Sequence, residues 1–362
     1  MLGQSNKGEN MKLSSVGKFL DQPLLSNTLQ RKMPVILTGA ALAYGVADTV
    51  SQPKSERKNR AIKNATILGS ITASTLLGVN FIKVGGEKLI ETLPKEEILA
   101  RQGSVIAKFK TLNPSIDTKV NEILTKAQKK MLNLAETDEL LKNIKSKPAS
   151  DELIKSLFGA NKNITSKEIF NEISKLSIMG FIPVASGIAG GIAADKLTGE
   201  SSKEKTTNKI KEGIYQFFAN IFLCNVGAGS FLFAAEKLNE KDLIKNFTPL
   251  KKTAVILSGI LSVGVLGGSF IANKIGNKIV NPIINKFEKK PDSACNKYEQ
   301  RVPEPLDIAL HTDDIATAGV LSGVKWIEPL LPVMYLISGY RSAIGYRNAD
   351  KLDKAKNHAH NC

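Results

Sequence analysis

The side chains best suited to chemistry are densest in HTDDIATAGVLSGVKWIEP, residues 311–329. His311, Asp313 and Asp314 are of the types that hold a metal or relay a proton. Lys325 and Glu328 follow on the same predicted helical stretch, as i,i+3 neighbours able to pair on one face. Asp313 and Asp314 are adjacent, so a helix cannot put both on one face. The same residues also fit a plain structural role, with Thr312 or Asp313 capping a helix and acid at its positive end. Asp48 and Asp195 form a second set. Each follows an uncharged run, and a charge inside a membrane marks function by default. At a helix exit, headgroup water would solvate the same carboxylate, and the Lys196 after Asp195 suits a helix C-terminus. Asn80, Asn220 and Asn225 lie deeper and are expected to hydrogen-bond between helices.

No known catalytic pattern joins these groups. The chain holds no P-loop, GxSxG, HExxH, dinucleotide fingerprint or CxxC. Cys224, Cys295 and Cys362 lie far apart and read as free thiols. The terminal NHAHNC sets an HxH beside Cys362 on an end expected to be exposed. The expectation is a non-enzymatic protein with no cofactor and no metal site.

Long uncharged segments must position these groups. Residues 33–47, 64–82, 176–194, 213–235 and 253–273 contain no charge. A helix needs about 20 residues to cross a hydrocarbon core. Runs two to five reach that length, and the first does so with Asp48 at the interface. A sixth region, 315–324 and 329–340, is interrupted by Lys325 and Glu328 and reads as a broken span or a half-buried helix. Lysine and arginine are balanced between the two sides of the alternating topology, so charge bias sets no orientation.

Two stretches repeat each other. Residues 41–70 can be laid on 187–218, which sets Asp48 on Asp195 and Ile62-Lys63 on Ile210-Lys211. GVNFIKVGGEKL then falls on GAGSFLFAAEKL. Each unit reads as a helical hairpin. The runs are rich in Gly, Ala and Ser, which lets helix backbones approach closely in a bilayer. Small-xxx-small pairs occur at Gly39 and Ala43, Gly69 and Ala73, Gly187 and Gly191, and Gly264 and Gly268. These are the candidate helix-packing positions.

Between the hairpins, 87–175 is charged and helix-forming. Asn113-Pro114 is expected to start a helix, and Thr165 to Glu168 fits a capping box. TDELLKNI and SDELIKSL, at 137–144 and 150–157, are near copies. Residues 274–290 place Ile275, Ile279, Val280, Ile283 and Phe287 along one face, as an interfacial helix would. The expected partition is a polar N-terminal segment (1–32), a first hairpin (33–86) and a soluble insert (87–175). A second hairpin with a further helix (176–273), an interfacial helix and linker (274–302), an interrupted helix (303–347) and a polar tail (348–362) complete it.

The fold class expected is all-α: a polytopic membrane protein of repeated helical hairpins with an inserted soluble helical domain. The 362 residues carry a net charge of +16, yet only seven of the fifty basic residues are Arg and aromatics are 6%. Base reading and stacking need those types, so nucleic acid is not the expected partner. Lysine beside apolar segments fits anionic lipid headgroups, and no removable signal peptide is expected at the N-terminus. The expected place is a membrane, the cytoplasmic or inner one in a bacterium. The expected role is structural or interactive, with homo-oligomers formed through small-residue faces. Two alternatives stand beside it: a small transporter or channel using Asp48, Asp195, Asp313 or Asp314, and a peripheral lipid-binding protein with apolar hairpins.

Overall fold

A computed structural model of the chain describes residues 15–90, 93–159, 166–244, 249–267, 312–321 and 326–345, with 274 and 278 as isolated positions. The described chain is all-α. In order it forms α1 (Pro23–Val50), α2 (Arg57–Phe81), a two-residue hairpin of β1 (Lys83–Val84) and β2 (Glu87–Lys88), α3 (Lys95–Leu112), α4 (Thr118–Ala127), α5 (Leu134–Ile144) and α6 (Ser150–Phe158). There follow α7 (Ser166–Leu197), α8 (Lys203–Tyr215), a π-helical stretch Gln216–Phe222 and α9 (Leu223–Glu240). Then come α10 (Pro249–Gly259) with a second π stretch Ile260–Gly267, α11 (Thr312–Leu321), a 3-10 turn Glu328–Leu330 and α12 (Leu331–Ile344). Gly268, His311, Lys325, the 274–302 segment but for two isolated residues, and the 348–362 tail lie outside the described residues.

The chain divides into two compact units. The first comprises Met1–Met33, Ile90–Ile164 and Gly323–Leu330. Its helices are short and amphipathic, so each buries one stripe. Ile106 and Phe109 of α3, Leu124 of α4, Leu140 and Ile144 of α5, and Leu153 and Phe158 of α6 close one core. The near copies at 137–144 and 150–157 thus supply matching apolar stripes to it. Helix starts follow cap chemistry. Asn133 and Glu136 form a reciprocal capping box on α5. Helix α4 begins at Thr118, not after Asn113. Asp117 caps it by accepting from the Lys119 N–H at 2.9 Å. Asn113 instead ends α3, donating to the Phe109 carbonyl at 2.9 Å and to the Pro148 carbonyl at 3.0 Å. An N-cap needs a free side-chain acceptor facing the next turn, and here the side chain is turned back as a donor. Buried Gln22 accepts from the Leu132 N–H and donates to the Leu132 carbonyl, both at 2.9 Å.

The second unit comprises Pro34–Leu89, Thr165–Ser322 and Leu331–Cys362. Its hub is α7, which packs on α2 along one row of residues and on α12 along the next. On the first row, a Cβ at Gly190 would sit 2.8 Å from the Ser70 Cβ, and Ser70 donates to the Ser186 carbonyl at 3.0 Å. On the second, a Cβ at Gly187 would collide with the Gly339 carbonyl, and one at Gly191 with the Ala343 carbonyl. Helices α9 and α10 meet in the same way at Gly227 and Gly259, while Gly264 faces Cys224. By contrast, Gly39, Ala43, Gly69 and Ala73 are all exposed, and a Cβ at Gly39 or Gly69 would meet open space.

Three described helices are long and apolar enough to cross a membrane: Pro23–Val50, Glu168–Leu197 and Lys205–Glu240. The first is longer than its uncharged run, because residues 23–32, which include Arg31 and Lys32, continue the helix. Helix α2, which carries the second run, is not among the three. Asn64, Thr66, Ser70, Thr72, Ser74, Thr75 and Asn80 dilute its apolar content. The sixth region is interrupted: residues 326 and 327 form a turn, the 3-10 turn follows, and α12 begins at Leu331.

Candidate functional site

Polar chemistry in the second unit gathers inside the helical bundle, in four connected places. The first is the end of α1. Arg60 of α2 makes a two-pronged pair with Asp48, at 2.5 Å from Nε and 2.9 Å from Nη2. Asn64 donates to the same carboxylate at 2.8 Å and to the Gly45 carbonyl at 3.2 Å. The Tyr340 hydroxyl of α12 donates to Asn64 Oδ1 at 2.8 Å, and its ring meets Tyr44 edge-on at 4.8 Å. Arg57 caps the same helix end by donating to the Val50 and Gln52 carbonyls, which the helix leaves without partners.

The second place is the end of α7. Lys209 of α8 pairs with Asp195 at 2.6 Å, and both side chains are less than a tenth exposed. Lys63 of α2 lies 3.9 Å from Asp195 and 2.7 Å from Glu200. It thereby ties the first hairpin to the second. Glu200 also accepts from Lys205 at 2.9 Å. Hydrogen bonds from Lys205 and Lys63 hold the Glu200 carboxyl at a pKa of about 2, well below its ordinary 4.5.

The third place follows from helical spacing. Glu212, Gln216 and Asn220 recur every fourth residue from α8 into the π stretch and are buried. Gln216 donates to Glu212 at 2.7 Å, and Asn220 donates to Gln216 at 2.7 Å. Arg341 of α12, fully buried, sets Nε 3.5 Å from the Glu212 carboxylate. Tyr340 and Arg341 are neighbours, so one turn of α12 reaches both the Asp48 and the Glu212 places.

The fourth place is the start of α11. Asp313 and Asp314 are both buried, and Asp314 hydrogen-bonds the Cys224 thiol of α9. The Tyr335 hydroxyl of α12 bonds Thr317 and Asn225, and Asn225 donates to Ser177 Oγ of α7 at 3.2 Å.

The residues singled out from sequence therefore separate. Asp48 and Asp195 sit at helix ends and are saturated by cations, which is the arrangement of a clasp. Asp313 and Asp314 stand together at a helix start. Glu328 does not share their helix: it opens a 3-10 turn in the first unit. Of the three asparagines, only Asn225 bonds across helices. Asn80 and Asn220 bond within their own segments, to the Leu76 carbonyl and to Gln216. Sequence reading missed Arg60, Asn64, Lys209, Glu212, Gln216, Tyr340 and Arg341. The i,i+4 series Glu212, Gln216, Asn220 was the one signal on the page for any of them.

Among the described residues, no group of three or more His, Cys, Asp or Glu side chains is placed to hold a metal ion. Comparison with known proteins finds no matching family model, no matching curated protein and no matching solved structure.

Proposed function

We propose that this chain is an integral membrane protein with a structural or interaction role, built from two related helical hairpins packed through small-residue faces. One observation carries the reading: the second unit is apolar outside and charged inside. Val35 is 74% exposed, Leu42 64% and Val46 61%, while Arg341, Glu212, Gln216, Lys209 and Asp195 are buried. A large exposed apolar surface is costly in water and favourable in hydrocarbon. Pairing of buried charges with one another is, conversely, how they persist in a bilayer. The three helices of spanning length support the same reading.

In both hairpins the first helix ends in an acid clasped by a base from the second: Asp48 by Arg60 and Asp195 by Lys209. This parallel favours an origin by duplication. It also favours a structural use of these acids over transport, since neither carboxylate is left for a passing ion. Gly187, Gly191 and Gly264 spend their close approach inside the chain. The bare pairs, Gly39 with Ala43 and Gly69 with Ala73, are the faces we assign to contacts with a second copy of the chain. Exposed Lys54, Lys58 and Lys196 beside the hairpin ends suit anionic headgroups. Alkaline carbonate extraction of membranes tests the reading: retention in the pellet supports it, and release into the supernatant rejects it.

A further inference from the structure

Buried charge in the second unit is matched at three of its four polar places. At Asp48, Asp195 and Glu212 an Arg or Lys side chain faces the carboxylate. The fourth place differs. Asp313 is 3% exposed, and its Oδ1 has no hydrogen-bond partner. The first-turn N–H groups of Asp313 and Asp314 lie against the rest of the carboxylate. Among the described residues no Lys, Arg or His pairs with it. Lys175 of α7, two residues from Ser177, is taken up by Glu87 and Glu172. Asp314 is engaged with Cys224.

Around this oxygen the bundle collects neutral oxygens. Thr317 stands four residues on, hence on the same face of α11 as Asp313. The Tyr335 hydroxyl bonds Thr317 and Asn225, and both Asp313 and Asp314 act on it electrostatically. Asn225 extends the set to Ser177. Helices α7, α9, α10 and α12 all pack on α11, which leaves only Ile315 of its described side chains exposed. A carboxylate buried with an open lone pair takes up either a proton or a positive partner, and the Na+ test below separates the two. Carboxylate and hydroxyl oxygens suit a hard cation. Asp314 is turned to the Cys224 thiol and Asp313 keeps the open oxygen, so one carboxylate is offered and a monovalent ion matches it.

We propose that the start of α11 binds a small alkali cation, represented by Na+, with Asp313 as the anionic ligand and the hydroxyls of Thr317 and Tyr335 beside it. The ion fastens α11 to α9 and α12, and the site does not depend on the protein's having a purely structural role. The test is thermal unfolding of the full chain in non-ionic detergent at pH 7, with NaCl replacing choline chloride at constant ionic strength. A ligand that binds only the folded state raises the midpoint with the logarithm of its concentration. The expected result is such a rise for the wild type, a half-saturating Na+ concentration about tenfold higher in Thr317→Val, and no Na+ response in Asp313→Asn. Should Asp313→Asn not fold, Thr317→Val decides. Equal midpoints in Na+ and choline overturn the proposal, as does an unchanged Na+ response in Thr317→Val. A Lys325→Met variant that loses as much stability as Asp313→Asn, with Na+ inert, would assign the counter-charge to the chain itself and also overturn it.

Discussion

Replacing Gly187 by Val tests the packing that holds the second unit together. The new Cβ would stand 2.7 Å from the Gly339 carbonyl carbon and 3.1 Å from its Cα. Carbon atoms in ordinary contact stand about 3.5–4.0 Å apart, so α12 would have to withdraw by roughly 1 Å. The obstacle is backbone, which cannot swing aside as a flexible side chain can. Overpacking of this kind costs about 1–3 kcal/mol, and two further methyl groups place Val near the upper end. Helix propensity works the other way but returns only about 0.4 kcal/mol, the difference between Gly and Val. A net loss of about 2 kcal/mol is therefore expected. Gly103→Val, in α3, is the control, because a Cβ there meets open space. Its stability should stay within about 0.5 kcal/mol of the wild type. Reversible unfolding in mixed micelles, followed by circular dichroism, measures both. Equal stability of the two variants would refute the close approach of α7 and α12.

Three further outcomes follow from the same structure. Asp195→Ala leaves Lys209 buried without its partner and should cost about 3–5 kcal/mol in the same assay, whereas the double replacement Asp195→Leu with Lys209→Met should recover most of it. Glu200 has a folded pKa of about 2 against an ordinary 4.5, so its stabilisation is complete above pH 4.5 and is lost as pH falls towards 2. Acid unfolding between those values should be shallower in Glu200→Gln, and an unchanged curve would discount the Lys63 and Lys205 contacts. Leu140→Ala empties a fully buried position in the first unit and should cost about 2–5 kcal/mol, with hydrogen exchange accelerating in residues 106–158.

Much of this architecture was legible in the chain. The absence of charge over 176–194 and 213–235 was enough to place two long helices, because length and polarity alone define such segments. The near copies at 137–144 and 150–157 became matching helices since each keeps Leu and Ile at helical spacing. Asn113 misled because Asn serves both ends of a helix, and only the fold decides whether it accepts or donates. The site was harder to see. Asp48 and Asp195 stood out as acids at the ends of uncharged runs, but their partners lie 12 and 14 residues on, in helices whose rotation the sequence does not set. Arg341 and Tyr340 were hidden for a similar reason: within 329–347 they look like the polar end of an apolar helix, although α12 is buried there on every side. Glu212 borders the uncharged run 213–235, and every fourth residue after it, Gln216 and Asn220, continues a buried line.

In a membrane protein of this build the exposed apolar face of α1 lies in hydrocarbon. Single nitroxide labels at Leu42 and Val46, placed in a variant with the native cysteines replaced and reconstituted into vesicles, test it directly. Relaxation by oxygen should exceed relaxation by a water-soluble nickel chelate at both positions. The reverse order, with the nickel complex colliding freely at Leu42 and Val46, would contradict the membrane reading.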